Sequence, residues 1–441
     1  MAVVGLPNLT SAHAFGAAPV LPIPLPFFLG GGMAAFVASC LVLTVFSAPR
    51  TLEEKPVILK PNVLTWIPLT LSTVGFVLYT WILGVAFFAE SNFSTHVVPA
   101  FFWVFFLLLF AYISMIVGGL WQHLDPIRKI SKLFASGMPR KTLPSLLSYI
   151  PVLIYFFLLW LELLSSEQAV SPRILGCLLL VYAGFSIAMS RTYGVHAWYN
   201  SGDFFTTYFG VFEKMAPSRL LSLGTNLALS EKRLIREQPA RLSILFFILT
   251  MLGATAFDGL RETAVWWDFV FALNFSGEFV FPALELAMLF LIPAFFFILY
   301  MLAIYGMKRL TRTSLTLRSL SLGFAFSLIP IAVAYNFAHY FSLILTESDA
   351  LIGLVTNRVT EPAAVLFVQD PVSPIGTNTL WYIQLGAIIL GHMYSALIAH
   401  RIAQRTFQTR AEIIRSQLPM LILMVFYTAF GLWILSQPFA N

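Results

Sequence analysis

Apolar residues run through this chain in long blocks separated by shorter polar connectors. Ten blocks stand out, at roughly 25–48, 66–89, 97–121, 143–164, 173–190, 242–260, 282–306, 319–346, 380–400 and 418–436. Most are about the 20 residues that a helix needs to cross a hydrocarbon core of about 30 Å. They are too long for barrel strands, and backbone polar groups cannot go unpaired in lipid. The predicted fold is therefore all-α, a polytopic membrane helical bundle of about ten transmembrane helices. No linker or low-complexity stretch divides it, so residues 1–441 read as a single integral membrane domain.

Three stretches interrupt the pattern. An N-terminal arm, 1–26, ends in Leu21-Pro22-Ile23-Pro24-Leu25-Pro26, whose alternating prolines hold it extended. The connector 191–241 is long and holds an aromatic run to Phe212, suited to a surface helix or a shallow re-entrant element. The loop 347–379, with Pro362, Pro371, Pro374 and Gly376, is long enough to cover one mouth of the bundle. No internal repeat is visible, so nothing supports the inverted-repeat plan of many transporters.

Charge turns this pattern into a topology. Of the 26 Lys and Arg residues, 23 fall in the connectors that follow the odd-numbered segments, and only Arg173, Arg261 and Arg358 fall on the other side. By the positive-inside rule the basic connectors are cytoplasmic and both termini lie outside. The net charge of +6 reflects this distribution, with membrane lipid as the expected neighbour and no nucleic-acid partner. Hydrophobic residues make up 59% and charged residues 10%, too few charges to solvate a soluble protein of this size. Cys40 and Cys177 both lie within apolar segments, which excludes a disulfide framework. Thr10-Ser11-Ala12 before His13 resembles a small-residue cleavage site, but the residues before it carry no positive charge and make a poor leader.

Candidate chemistry lies with the ionisable residues inside the segments, because each is costly in lipid unless paired or wet. Glu162, Asp258, Glu285 and His339 all fall in the outer halves of their segments, His392 falls midway along the ninth, and His13 and His96 lie outside. Carboxylates and imidazoles gathered without nearby cations repel one another unless protonated or neutralised by a metal. Imidazole with carboxylate suits zinc and similar divalent ions. Each residue also has a plainer reading. Glu162 and Glu285 sit where capping or snorkelling serves, and His339 shares a helical face with Tyr335 and Asn336 as interhelical glue would. Gly259 after Asp258 suggests that the sixth helix ends there. His123 and His196 read as anchors at the cytoplasmic boundary, and His400 as a residue of that same end. Phosphate-binding loops, the zinc-protease His-Glu-x-x-His and a serine nucleophile elbow are all absent from the sequence.

Several short motifs carry a resemblance. Ala12-His-Ala-Phe-Gly16 with Leu21-Pro-Ile-Pro-Leu25 resembles the N-terminal signature of the bacterial fenitrothion hydrolase family. The similarity continues in Ala256-Phe-Asp-Gly259, Ala338-His-Tyr340, Gly391-His392, Ala399-His400, Tyr427-Thr428, Phe430-Gly-Leu-Trp433 and Ser436-Gln-Pro438, and so spans nearly the whole chain. What the resemblance implies is a multi-pass protein of the bacterial inner membrane that cleaves the P–O–aryl ester of organophosphorus triesters such as fenitrothion. It supplies no catalytic residues, and the named substrate need not be the natural one.

Joined to the residues, this gives a definite expectation. An apolar triester partitions into the outer leaflet, and a divalent metal among helices 6, 8 and 9 would polarise it and activate water. His339, His392 and His13 are the expected metal ligands, and Asp258 a further ligand or the general base. Two other classes stay open: a transporter or metal-uptake protein using the same cluster, and a structural subunit whose polar residues only bond helix to helix.

Overall fold

In a computed structural model the described residues are 67–90, 97–135, 141–217, 241–273, 280–355 and 376–437, with a few isolated positions besides. The first apolar segment (25–48), the arm 1–26, His13, His96 and most of the loop 347–379 lie outside them. Among the described residues nine helices are long and apolar enough to cross a membrane. With the re-entrant helix between the fourth and fifth of these, they are α1 Leu69–Phe88, α2 Val97–Val117, α3 Ser145–Leu164, α4 Pro172–Tyr193, α5 Phe204–Glu213, α6 Leu242–Arg261, α7 Val280–Thr311, α8 Leu317–Glu347, α9 Asn378–Thr406 and α10 Arg410–Ser436. The protein is an all-α, multi-pass membrane bundle, and each described span coincides with one of the apolar blocks. Side chains such as Leu69, Leu153, Val181, Leu302, Leu390 and Ile422 are exposed on the flanks of the spans, where they meet lipid.

The helices are not equally placed. In α6, 83% of the apolar window is buried, against 17% in α1, so α6 is the central strut and α1 a peripheral one. α6 packs on α3, α7 and α8, while α8 pairs closely with α9 and α7 with α10. Lipid tails are as apolar as leucine, so helices associate by close packing at small residues. A Cβ on Gly253 of α6 would stand 2.6 Å from Pro293 Cα of α7. One on Gly391 of α9 would stand 2.9 Å from the carbonyl oxygen of Pro330, near the middle of α8. The bundle has a basic end, from which the connectors rich in Lys and Arg leave, and an opposite, acidic end.

The structure bears on two connectors, deciding between the two readings of the first and moving the start of the second. The aromatic run 204–212 is no surface helix: Phe204, Phe205, Tyr208, Phe209 and Phe212 are buried. Tyr208 donates to the carbonyl oxygen of Leu107 at 3.1 Å, about the middle of α2, so α5 folds back into the bundle. So apolar a segment gains nothing from lying in water, and being wrapped by protein lets it enter at membrane depth. Asp203 starts it, accepting hydrogen bonds from Thr206 N at 2.8 Å and from the Tyr182 hydroxyl. The predicted loop from 347 begins later, because the last helical stretch of α8 continues through Val355.

Candidate functional site

The site is built at the acidic end where α6, α8 and α3 meet. Asp258 lies at the start of the last turn of α6 and is 1% exposed. Gly259 does not end the helix, which runs on to Arg261; it makes room instead. A Cβ there would be 3.0 Å from Ile434 and 3.5 Å from His339 Nδ1, so the missing side chain lets α8 bring its imidazole against α6. His339 Nε2 then meets Asp258 Oδ2 at 2.8 Å, and the next residue of α8, Tyr340, donates its hydroxyl to the same oxygen at 2.7 Å.

One turn beyond Asp258, in the turn that follows α6, stands Glu262. Donor atoms of Asp258, Glu262 and His339 all lie within 4.8 Å of one another. Asp258 is buried, whereas Glu262 and His339 are half-buried, so the group opens to one side. Burial, with the Asp258 carboxylate next in weight, pushes the Glu262 carboxyl well above the usual carboxylate range. Glu162 of α3 is an electrostatic neighbour of Asp258, His339 and Glu262.

The expected lack of cations is corrected here. Arg261 Nε pairs with Glu285 Oε1 of α7 at 2.5 Å, and Glu285 is 4% exposed, so it is an ion-pair partner and not a snorkelling residue. That pair neutralises itself. The remaining three carboxylates, Glu162, Asp258 and Glu262, face a single imidazole. Fully ionised, they are a charge arrangement that protons or a divalent cation must offset.

The donor set fits a metal chemically. Three protein ligands of imidazole and carboxylate type with one side open is the pattern of catalytic zinc sites. Zinc ligands at roughly 2.0–2.2 Å from the ion lie roughly 3–3.5 Å apart, so donors within 4.8 Å of one another need only small side-chain adjustments.

Of the residues expected to form the site, Asp258 and His339 come together. His392 does not join them. It is 2% exposed, and its Nδ1 lies 2.8 Å from the carbonyl oxygen of Ile388 in its own helix. Gln384 of α9 reaches the Ala338 carbonyl at 2.8 Å, which sets the two helices in register. His392, eight residues further along α9, then lies about 12 Å deeper at 1.5 Å per residue. His13 lies outside the described residues. His400, bonded to Gln417 and Gln404, keeps to the basic end. His123 is 9% exposed, more buried than a boundary anchor, while His196 pairs with Asn200 on its own helix. Glu262 and Tyr340 were not singled out from the sequence. Asp258 and Glu262 are four residues apart, one helical face, and that spacing is the signal that finds the pair. Glu262 lies past the end of its apolar block, so a reading by hydropathy leaves it in a loop.

A cavity of about 30 Å³ adjoins the cluster, lined by Glu162, Tyr340, Asn336, Leu107, Leu158 and Tyr208 among others. Its lining includes Phe204 and Tyr208 of the buried helix α5. Comparison with protein-family models, curated proteins and solved structures gives no match.

Proposed function

We propose that this chain is a membrane-embedded, metal-dependent hydrolase of apolar phosphotriesters of the fenitrothion type, acting at the outer side of a bacterial inner membrane. The observation that carries the reading is the convergence of Asp258, Glu262 and His339 within 4.8 Å at a partly open end of the bundle. The positive-inside rule assigns the basic end to the cytoplasm and hence the site to the outer side. Asp258, Glu262 and His339 would hold the ion, replacing His13 and His392 in the expected ligand set. A bound divalent ion supplies a Lewis acid for the phosphoryl or thiophosphoryl oxygen and brings the pKa of water to about 7. The chain's own groups do the rest. Tyr340 fixes the orientation of the Asp258 carboxylate through its 2.7 Å hydrogen bond. Arg261 stays committed to Glu285 and leaves the negative charge of the site for the ion. A neutral triester reaches the open side from the outer leaflet, and its nitrophenolate leaves with little need of acid.

The deciding experiment uses purified protein in lipid nanodiscs with a chromogenic nitrophenyl phosphotriester. Turnover should vanish with a chelator and return with zinc or manganese. Turnover indifferent to chelator and to His339→Ala would refute the reading.

A second reading, cation uptake, is favoured by the cavity, because polar groups continue from the cluster into the bundle. Metal accumulation in sealed proteoliposomes, without ester cleavage, would select it.

A further inference from the structure

Between α2 and α3 the chain forms a helix too short to cross the membrane, Pro126–Phe134, and its nine residues have two faces. Ile127, Ile130 and Phe134 follow at spacings of three and four, with Leu133 three beyond Ile130, so they share one side. Arg128 and Lys132 are four apart, and Lys129 and Lys132 three apart, so the cations share another. Ile127 and Ser131 are buried against the protein, whereas Leu133 is 76% and Phe134 56% exposed. Water is a poor neighbour for two such side chains.

The depth of this helix is fixed by α1. Ser72 Oγ donates to the carbonyl oxygen of His123 at 2.9 Å, and a Cβ on Gly75 would collide with the carbonyl oxygen of Leu124. Gly75 lies six residues into α1, so the turn leading to the helix sits about 9 Å in from the end of α1, at 1.5 Å per residue. Interfacial amphipathic helices bury their apolar face to about 5–10 Å. The helix also packs on α1, a peripheral span with exposed apolar residues such as Leu69 and Val77.

The cations carry the complementary signal. Arg128 lies over the Tyr199 ring, 5.1 Å from its centroid, and so has a place within the protein. Lys129 and Lys132 form no ion pair among the described residues. Burial first, then the Lys132 ammonium and the Arg128 guanidinium, push the Lys129 pKa below its ordinary value. The Asp125 carboxylate, the weakest of these influences, is committed to the backbone of Ile127 and Arg128. An anion between the two lysines relieves their repulsion.

A soluble anion would answer the charges and leave Leu133 and Phe134 in water. A second copy of the chain would cover the apolar pair and bring its own cations with it. A phospholipid answers both. Lys129 and Leu133 are four residues apart, so a phosphate held by Lys129 and Lys132 has its acyl chains beside Leu133.

We propose that the helix Pro126–Phe134 is a binding site for anionic phospholipid, with Lys129 and Lys132 on the phosphate and Leu133 and Phe134 against the acyl chains. The site does not depend on the hydrolase reading.

The test uses the full-length protein and has two arms. In the first, native mass spectrometry follows titration with phosphatidylglycerol and with phosphatidylcholine in detergent. Phosphatidylglycerol should bind about thirtyfold more tightly, at about 1 kcal/mol for each of two cations. Lys129→Gln with Lys132→Gln should remove this preference, and Lys129→Arg with Lys132→Arg should keep it. Arg410→Gln with Arg415→Gln, at two exposed positions elsewhere at the basic end, should leave it unchanged. Equal loss in both glutamine pairs overturns the site, because the preference then belongs to the whole basic end. Displacement of the lipid by an equal concentration of inorganic phosphate overturns the lipid as occupant.

The second arm reads the apolar side in nanodiscs. Bimane on Phe134→Cys, with Cys40 and Cys177 replaced by alanine, should be quenched by phosphatidylglycerol brominated on its acyl chains. Absence of quenching, or disulfide cross-linking of Phe134→Cys between two copies, overturns the site.

Discussion

Asp258 of α6 and His339 of α8, separated by 81 positions in the chain, meet through Oδ2 and Nε2 at 2.8 Å. Nothing local brings them together. The contact depends on α6 being the buried strut of the bundle and on Gly259 leaving a gap for the imidazole. In a medium of low dielectric, two such groups stay together only when their charge is shared with a proton or an ion.

That relationship predicts a pattern of metal binding. His339→Ala, Asp258→Asn and Glu262→Gln should each abolish high-affinity binding of zinc or cobalt, because an incomplete set of three ligands leaves the ion loosely held. His392→Ala and His400→Ala should retain it, since neither belongs to the group of donors. Elemental analysis of each purified variant is the measurement, and equal metal content across all five would sink the assignment.

Tyr340→Phe removes one hydroxyl and nothing else. The lost hydrogen bond to Asp258 is worth about 1 kcal/mol to the fold. Its effect on the metal should be larger, a drop in affinity of about tenfold, as for other residues that orient a ligand. Competition titration against a chromogenic chelator reads this, and unchanged affinity would mean that Asp258 needs no such support.

The close approach of α6 and α7 can be tested at Gly253. A Cβ there would lie 2.6 Å from Pro293 Cα, so Gly253→Ala must push two helices apart. A loss of about 1–3 kcal/mol is expected, seen as a lower thermal midpoint in detergent. Gly184→Ala, with nothing within 4 Å of the new methyl, should be neutral or slightly stabilising.

At the basic end Asp125 caps the helix Pro126–Phe134 through Ile127 N and Arg128 N, and it is 2% exposed. Burial first, and then the Asp203 carboxylate, push its carboxyl up to about 8. Between about pH 4, where it titrates when unfolded, and that value, the folded protein holds the extra proton. Stability should therefore fall as pH rises through this window. Asp125→Asn keeps a good N-cap and removes the titration, so its midpoint should vary less with pH. An identical pH profile for both proteins would exclude Asp125 as the cause.

The orientation predicts accessibility. With Cys40 and Cys177 replaced by alanine, Glu167→Cys lies after α3 at the acidic end and Ser314→Cys after α7 at the basic end. An impermeant thiol reagent should label the first in intact cells and the second only after lysis. The reverse result would put the candidate site on the cytoplasmic side.

Much of this protein is legible in one dimension. Unbroken apolar blocks of helix-crossing length dictate membrane helices, because lipid offers the backbone no partner but itself. The basic residues gather on alternate connectors and so propose an orientation, which the labelling above tests. Asp258 and His339 are also legible as costly residues in apolar surroundings. Which of those costly residues meet is another matter, because it depends on the rotation and depth of each helix against its neighbours. Only the packed structure admits Glu262, one turn past its apolar block, keeps His392 about 12 Å away, ties Arg261 to Glu285 and folds α5 back into the core. Depth and rotation follow from small-residue contacts such as Gly253 against Pro293 and Gly391 against Pro330. Those contacts involve residues far apart in the chain, and no periodicity within a single helix records its partner.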